Sequence, residues 1–460
     1  MDPAVPLSAP APADRRAALR RELAAAVRLS IPVALVQLGT MLMGVVDTIM
    51  LGHLSAGALA AGALGHVTSF TLLILGTGTL MVLDPLISQA YGAGEHRTIS
   101  AHFQRGLVLA TVLGLLFTAA MWNATPLLRA LGQTPEVAEN AGLYLRGLAW
   151  SNLSLLLFTA LRQTLQAMSV VRPALYAIVL ANLLNLLGNY TLIFGHFGFP
   201  ALGVVGSAYA TSISRWGMFL YLLIAGRRHL APYWHGFTRE AADFGRYVRM
   251  LRLGLPLGLH MSIELGIFAT VALIIGHMGI AQLAGHQISL NLASVSFMIP
   301  LGIAGAAATR VGNAIGRQDM PGARLSAAVC LVLGSGVMLF FAALFALLPR
   351  QLAEIYSEDP AVIAVAASLL PIAAGFQVLD GLQVVATGVL RGAADTHIPA
   401  ITALVGYWIV GLPFGWWLAV PQGMGPRGLW WALTLALFVV SALLLARIRM
   451  RFRSHIARTV

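Results

Sequence analysis

About twelve stretches of roughly 20 mostly apolar residues follow one another along this chain, and they constrain its fold more than any other feature. A helix of about 20 residues is long enough to cross a hydrocarbon core of about 30 Å. The stretches therefore predict an all-α integral membrane protein of about twelve transmembrane helices. The predicted spans cover 27–51, 56–83, 102–122, 137–165, 173–194, 202–225, 250–275, 281–306, 323–348, 361–390, 398–420 and 425–446.

The composition agrees with a polytopic membrane protein and disfavours other classes. Apolar residues make up 58% of the chain and charged residues 10%, which is too apolar for a water-soluble globule of this size. The arginines lie between apolar runs, not on one solvated face, so we expect no nucleic-acid partner. A single cysteine, Cys330, cannot form a disulfide framework or a thiolate metal cluster. The first 26 residues lack an apolar core, so no cleavable signal peptide is expected.

The positions of the basic residues predict the orientation of the spans. The chain has 29 basic residues, all arginine. If the amino terminus is cytoplasmic, only Arg129, Arg350 and Arg427 fall in the connections on the other side. The positive-inside rule then predicts that both termini are cytoplasmic, with the arginine clusters contacting lipid headgroups.

The two halves of the chain resemble each other. RLSIP at 28–32 matches RLGLP at 252–256, and LGHL at 51–54 matches IGHM at 275–278 at the same offset. An even number of spans per half predicts two six-helix lobes related by a pseudo-two-fold axis along the membrane normal, with a central cleft between them. The predicted organisation is a cytoplasmic tail (1–26), an N-lobe (27–225), a cytoplasmic linker (226–249), a C-lobe (250–446) and a basic cytoplasmic tail (447–460).

Three acidic residues fall inside predicted spans: Asp47, Glu264 and Asp380. Ionisable groups in a bilayer are costly and are functional candidates by default. A buried carboxyl favours its protonated form and water access favours the ionised form, so each acid is a candidate carrier of a proton or sodium ion. The same negative charge would attract an organic cation. Because Asp47 lies near the outer end of the first span, a headgroup-level carboxylate stays an alternative for it.

Polar residues in the first half are predicted to surround Asp47. Asn185 and Asn189 are four apart and share one helix face. Asn152 and Thr211, in neighbouring spans, complete an N-lobe polar cluster. The alternative is ordinary hydrogen bonding between membrane helices, which uses the same residue types.

Other charged residues have simpler predictions. Asp84 and Asp359 precede prolines at helix ends, where capping or turn formation explains an Asp. Arg146 and Arg215 fall inside spans, and the sequence identifies no partner for either.

A set of motifs carries a resemblance to a known family. They are VVDTIMLGH in the first span, PLISQAYGAGE after the second, LRQTLQAMSVVRP after the fourth, NLLGNYTLIFG in the fifth, GHQISLNLASVSFMIPLGI in the eighth, RVGNAIG after it and VLRGAADTHIP after the tenth. In order and spacing they resemble the multidrug and toxic compound extrusion (MATE) family, on its NorM-type branch.

The resemblance implies two lobes around a V-shaped cavity and drug export driven by inward flow of protons or sodium ions. By position, Asp47, Glu264 and Asp380 resemble the family's membrane carboxylates, and Gln287 lies in the cavity wall. The resemblance also implies that the first helix bends at Pro32 when its acid is protonated.

One departure concerns the N-lobe. Asn152, Asn185, Asn189 and Thr211 resemble the polar cluster around the N-lobe acid, but some branches of the family carry a second acid at the position of Asn189. The Asn there shifts the expected ion coupling, including any Na⁺ site, toward Glu264 and Asp380.

We therefore expect a cation-coupled multidrug antiporter of the bacterial inner membrane, not an enzyme, working by alternating access. Its expected partners are lipophilic cations and membrane lipids; it is expected to be a monomer with no cofactor besides the coupling ion, H⁺ or Na⁺. One alternative is a lipid-linked oligosaccharide flippase of the same superfold, which would need more basic residues in its cavity to meet pyrophosphate. An integral-membrane enzyme is disfavoured, because no nucleotide, nucleophile or metal motif is found.

Overall fold

The computed structural model describes residues 12–130, 132–234 and 243–459, and in these ranges the chain is helical with no β-strand. The N-terminal half contains α1 (Pro12–Leu54), α2 (Ala56–Leu80), α3 (Leu83–Ala93), α4 (His96–Trp122), α5 (Ala124–Ala130), α6 (Pro135–Ala149), α7 (Asn152–Ala167), α8 (Arg172–Phe194) and α9 (Gly203–Leu230), followed by a 3-10 turn (Ala231–Tyr233). The C-terminal half contains α10 (Phe244–Gly276), α11 (Ile280–Gly316), α12 (Met320–Leu347), α13 (Pro349–Glu354), α14 (Pro360–Gly392), α15 (His397–Ala403), a π-helical segment (Leu404–Gly411), α16 (Leu412–Ala419) and α17 (Pro426–Arg451).

Ten helical stretches in the described ranges are long and apolar enough to cross a membrane. Helices suit this environment because each satisfies its backbone hydrogen bonds within one segment. The other two predicted spans differ from the ten. The span predicted over 137–165 is wrong as one helix, because a turn at Trp150 and Ser151 separates α6 from α7. The span predicted over 202–225 is present as α9, a 28-residue helix whose first half is rich in Ser and Thr.

Helix ends also differ from the predicted boundaries. α1 begins at Pro12, so the predicted tail is already helical there, because its Ala, Leu, Glu and Arg residues are strong helix formers. The predicted linker over 226–249 contains the end of α9 and the start of α10, while Arg239 and Glu240 lie outside the described residues. The capping predicted for Asp359 is confirmed: its carboxylate accepts a hydrogen bond from the backbone N–H of Ala361 at 2.8 Å.

The helices form two lobes, α1–α9 and α10–α17. Across the lobe boundary α1 packs along α11, and α10 packs along α2. The internal repeat makes α10 the counterpart of α1 and α11 the counterpart of α2, so these two contacts are equivalent under a two-fold rotation. The all-helical, two-lobed prediction is confirmed by this arrangement.

The start of α1 and the end of the described chain lie at one end of the bundle, which we call the terminal end. Ala26 of α1 packs there in one apolar cluster with Ile448, Phe452 and Ile456 near the end of the chain. Cross-lobe hydrogen bonds and ion pairs among the described residues lie toward this end. They join Glu22 to Arg310 and Ser326, Asp84 to Arg391, Gln89 to Gly392 and Thr459, Gln166 to Thr309, Ala167 to Asn313, and Glu95 to Arg458.

Two glycines allow α3 and α11 to cross in backbone contact at the terminal end. A Cβ at Gly92 would overlap the carbonyl of Asn313, and a Cβ at Gly316 would overlap the carbonyl of Gln89. The contact is reciprocal because Gly92 and Gln89 occupy the same repeat positions as Gly316 and Asn313. The pseudo-two-fold axis therefore passes close to this crossing.

We predict that Gly92→Ala destabilises the protein, because the added methyl group meets a backbone carbonyl that cannot move aside; overpacking of this kind costs about 1–3 kcal/mol. Thermal unfolding of the detergent-solubilised protein measures the change. Gly336→Ala on α12 is the matched control, since a Cβ there meets nothing within 4 Å. A Gly92→Ala protein as stable as the wild type would contradict the backbone contact.

Candidate functional site

Asp47 lies at the centre of a hydrogen-bonded cluster in the N-lobe. Its Oδ1 accepts from Asn185 Nδ2 at 2.9 Å and from Asn189 Nδ2 at 2.6 Å, and its Oδ2 accepts from Thr211 Oγ1 at 2.7 Å. Asn185 also donates to Thr211 Oγ1 at 3.0 Å. The two asparagines face α1 together because they are one helical turn apart on α8. The structure thus brings together four of the residues predicted for this cluster.

This cluster is shielded from solvent. Asp47 is 4% exposed, and Asn185 and Asn189 are fully buried. Hydrogen bonds to an ionised acceptor are stronger than neutral ones, so three donors can hold a carboxylate in an apolar surrounding. Asp47 therefore faces the inside of the N-lobe and not its outer surface.

The same cluster has an acceptor available for a protonated Asp47. The side-chain oxygen of Asn189 has no hydrogen-bond partner among the described residues. Amide N and O atoms occupy nearly interchangeable positions, so rotating the Asn189 amide presents an oxygen to Asp47 in place of the NH₂ group. A protonated carboxyl can donate to that oxygen. The site can therefore accommodate both protonation states of Asp47.

Asn152 is not hydrogen-bonded to Asp47. It begins α7, is fully buried, and its Nδ2 contacts Met121 Sδ at 3.1 Å. Sequence spacing places Asn152 on the correct helix but does not fix the rotation of α7, which follows the turn after α6.

Three charged or polar neighbours of Asp47 were not expected from the sequence. His66, Tyr144 and Arg215 all interact electrostatically with its carboxylate. Arg215 also donates to Ser151 Oγ at 3.1 Å, which supplies the partner that sequence analysis could not name. Arg146 is exposed and its Nε donates to the carbonyl of Trp122 at 3.3 Å. Arg215, on α9, thus gives Asp47 a nearby cation.

The C-lobe acids form a second site. Glu264, on α10, accepts a hydrogen bond from Tyr407 Oη at 3.1 Å, and the carboxyl groups of Glu264 and Asp380 interact electrostatically. Asp380, on α14, is buried and receives no hydrogen bond from the described residues. Two like charges in this setting favour binding of one cation or proton. Sequence analysis missed Tyr407. The structure places it in a π-helical segment, a feature often found at functional sites.

A histidine adjoins these acids. His260 lies one turn before Glu264 on α10, is buried, and its Nε2 lies 3.4 Å from Gln383 Nε2 on α14. It interacts electrostatically with Glu264. Gln287 is exposed on α11 and makes no hydrogen bond to these acids. The C-lobe site is therefore built from α10, α14 and the π-helical segment.

The Na⁺ site predicted at Glu264 and Asp380 stays a prediction. Sodium prefers oxygen ligands, and the two carboxyl groups and the Tyr407 hydroxyl supply oxygens of that kind. Within the described ranges no group of three or more His, Cys, Asp or Glu side chains is arranged to hold a metal ion.

The interpretation of Asp84 as a capping residue is wrong, whereas its place in a turn is confirmed, because its backbone N–H donates to the Met81 carbonyl at 3.1 Å. Asp84 lies in the first turn of α3 but makes no capping hydrogen bond. Its carboxylate instead forms a buried ion pair with Arg391 of the other lobe, with 3.3 Å between Oδ2 and Nε. The partner lies more than 300 positions away in the sequence, so local spacing gave no sign of it.

Comparison with known proteins identifies the family of the chain. The MatE family model matches residues 32–191 and 256–417, one segment in each lobe. A probable multidrug resistance protein NorM of Rhodopseudomonas palustris is 37% identical over 458 residues, covering 97% of this chain and 95% of the relative. A protein of the same name from Rhizobium meliloti is 36% identical over 427 residues, covering 91% of each chain.

Solved structures share the fold. The eukaryotic MATE transporter AtDTX14 matches with a TM-score of 0.86 at 21% identity, covering 94% of this chain and 96% of its own. A MATE protein in the bent conformation matches with a TM-score of 0.86 at 21% identity, covering 95% and 97%. An outward-facing MATE family multidrug resistance transporter matches with a TM-score of 0.84 at 22% identity, covering 94% and 96%.

We predict that Asn189→Ala destabilises the protein more at pH 8 than at pH 5. Losing a donor to a buried carboxylate costs about 1.5–3 kcal/mol, whereas losing a hydrogen bond between neutral groups costs about 0.5–1.5 kcal/mol, so the penalty falls to the extent that the lower pH protonates Asp47. Thermal unfolding at the two pH values measures the difference.

The matched control is Asn182→Ala on the same helix. Asn182 donates to the neutral backbone carbonyls of Gly39 and Ile178, both at 2.9 Å, so its loss should cost the same at both pH values. An equal pH dependence in the two variants would show that Asp47 is not the source of the effect.

Proposed function

This chain belongs to the MatE family of transporters, and from that basis we propose that it exports lipophilic organic cations in exchange for protons or sodium ions by alternating access. The relatives named as multidrug resistance proteins support efflux of drugs. One observation carries the cation coupling: each lobe holds a carboxyl site among apolar helices, Asp47 in one and Glu264 with Asp380 in the other.

The C-lobe acids are the stronger candidates for ion coupling. Asp380 is buried, receives no hydrogen bond from the described residues and interacts with the Glu264 carboxyl, so binding a proton or Na⁺ there relieves repulsion. An organic cation entering the same region would relieve it too. Ion and drug can therefore compete, which is the requirement for antiport.

The N-lobe cluster is proposed to sense protonation. The Asn189 amide can switch from donating to a carboxylate to accepting from a protonated Asp47, which changes the attachment of α1 to α8. Pro32, on α1, lies near Arg162 and Gln166 of α7 and removes one backbone hydrogen bond of the helix, so bending of α1 costs least there.

The proposed setting is the inner membrane of a bacterium, with both termini in the cytoplasm. The multi-pass fold and the bacterial relatives support this placement, and the arginine distribution supports the orientation. With that orientation the lobes of this structure are joined at their cytoplasmic end, as an outward-open transporter requires.

Flux through the purified protein in proteoliposomes tests the proposal. With a pH gradient and a Na⁺ gradient imposed separately, we expect ethidium to move against its gradient under at least one of them and to accelerate the decay of that gradient. Protein-free liposomes are the control. No ion-dependent movement of ethidium or of several other cationic dyes would contradict the proposal and favour a lipid-linked substrate.

We predict that Glu264→Gln and Asp380→Asn each reduce ion-driven dye flux to the level of protein-free liposomes while the protein still folds. Removing a desolvated charge should not cost stability. Glu354→Gln on α13 is the matched control, because Glu354 is paired with Arg350 on the surface, and it should transport normally. Gradient-dependent transport at the wild-type rate in both variants would exclude the C-lobe as the coupling site.

A further inference from the structure

A short segment after α17 runs from one lobe to the other at the terminal end. It comprises residues 452–459, which we call the strap. The side chains of Phe452 and Ile456 are 6% and 1% exposed, and both pack in an apolar cluster with Ala323 of α12. Arg324, also on α12, donates from Nε to the carbonyl of Phe452 at 2.9 Å. The first part of the strap is therefore fixed to the C-lobe.

The last described residues of the strap bind the N-lobe. The backbone N–H of Thr459 donates to Gln89 Oε1 on α3 at 2.9 Å. Arg458 Nη1 lies 3.3 Å from Oε1 of Glu95, which immediately precedes α4. Gln89 is fully buried, and its Nε2 donates to the carbonyl of Gly392 in the C-lobe at 3.0 Å. Thr459 therefore supplies a donor to the oxygen of a buried amide, a group that is costly to leave unpaired.

Thr459 also connects the lobes through its own backbone. Its carbonyl accepts a hydrogen bond from Arg249 Nη2 at 2.9 Å. Arg249 belongs to α10 of the C-lobe, whereas Gln89, which accepts from the Thr459 N–H, belongs to α3 of the N-lobe. Covalent geometry fixes the distance between the N and O atoms of one residue. Parting of α3 and α10 beyond the reach of the two side chains therefore breaks one of these hydrogen bonds.

We propose that the strap holds the lobes joined at the terminal end and releases Gln89 and Glu95 when the lobes part. The section fixed by Phe452 and Ile456 stays on the C-lobe, and water entering the opened end takes the place of the released partners. The inference rests on the proposed alternating access, and it adds an element after the last transmembrane helix that sets the balance between the two states.

The contacts of the strap are of a strength that suits this role. Exchanging a hydrogen bond within the protein for one to water has a modest net cost. The ion pair of Arg458 with Glu95 adds little, because the two side chains are 31% and 40% exposed. Contacts of this size shift an equilibrium by about tenfold without fixing the protein in one state.

Substitutions at Thr459 isolate the backbone contact. Thr459→Pro removes the N–H that Gln89 accepts and keeps the length of the chain, because proline has no backbone N–H. Thr459→Ala is the matched control: it keeps the N–H, and the Thr459 side chain makes no hydrogen bond to the described residues. Deleting residues 457–460 removes both N-lobe contacts and leaves Ile456 in place.

Spin-label distances across the terminal end measure the balance. Labels are attached at Arg228→Cys near the end of α9 and Arg449→Cys in the last turn of α17, two exposed positions in different lobes, in a Cys330→Ala background reconstituted in nanodiscs. We expect the deletion of 457–460 to lower the ratio of short to long distances by about tenfold, and Thr459→Pro by about threefold. Thr459→Ala should leave the ratio unchanged.

The outcomes separate this proposal from the proposed function. If the wild type shows both distances and neither the deletion nor Thr459→Pro changes their ratio, the strap does not hold the lobes. A lower melting temperature with an unchanged ratio would assign the strap to folding alone, and an equal shift in Thr459→Ala and Thr459→Pro would exclude the backbone contact. One identical distance in the wild-type and truncated proteins at every pH and drug concentration would contradict alternating access itself. If the truncated protein does not fold, Thr459→Pro decides the question.

Discussion

The absence of water in the hydrocarbon interior is the constraint on which the rest of this structure depends. Each polar group placed there must find its partner within the protein. Hydroxyl groups do so locally, as when Thr77 and Thr164 donate to carbonyls one helical turn earlier. Carboxylates cannot, since they need donors or cations from other helices. The acids therefore determine which helices must meet.

The three membrane acids meet this constraint in different ways. Asp47 is surrounded by three donors inside the N-lobe. Glu264 has one donor, Tyr407, and Asp380 has none among the described residues. An incompletely satisfied pair of carboxyls has more to gain from a cation than a satisfied one. The two lobes thus share a helical repeat but differ in how completely the carboxyl groups of their acids are hydrogen-bonded.

The terminal end combines two kinds of contact between the lobes, a close backbone crossing and ion pairs. The crossing of α3 and α11 through Gly92 and Gly316 is a close backbone contact, which requires a particular geometry to form at all. The pairs Glu22–Arg310 and Asp84–Arg391 are electrostatic, and their attraction falls off more gradually with distance. Together they join the two lobes at the terminal end in this structure.

The sequence by itself determined the membrane class, the two related halves, the acids and the Asn185–Asn189 helix face. These follow from hydrophobic length and from periodicity along one helix, which are local properties. It also indicated the family, through motifs spread over both halves. It misassigned Asp84 and treated α6 and α7 as one span, because a break at Trp150 has no Pro or Gly to mark it.

Only the tertiary structure decided how each helix is rotated, and therefore which neighbouring helix and which lobe each polar side chain faces. Tyr407 reaches Glu264, and Arg391 reaches Asp84, across 143 and more than 300 positions of sequence. It also decided that Asn152 contacts Met121 and not Asp47. Spacing fixes a residue's place on its own helix, whereas the rotation of that helix against its neighbours is set by packing of the whole bundle. Partners on distant helices are therefore a property of the assembled lobes and not of any segment of the chain.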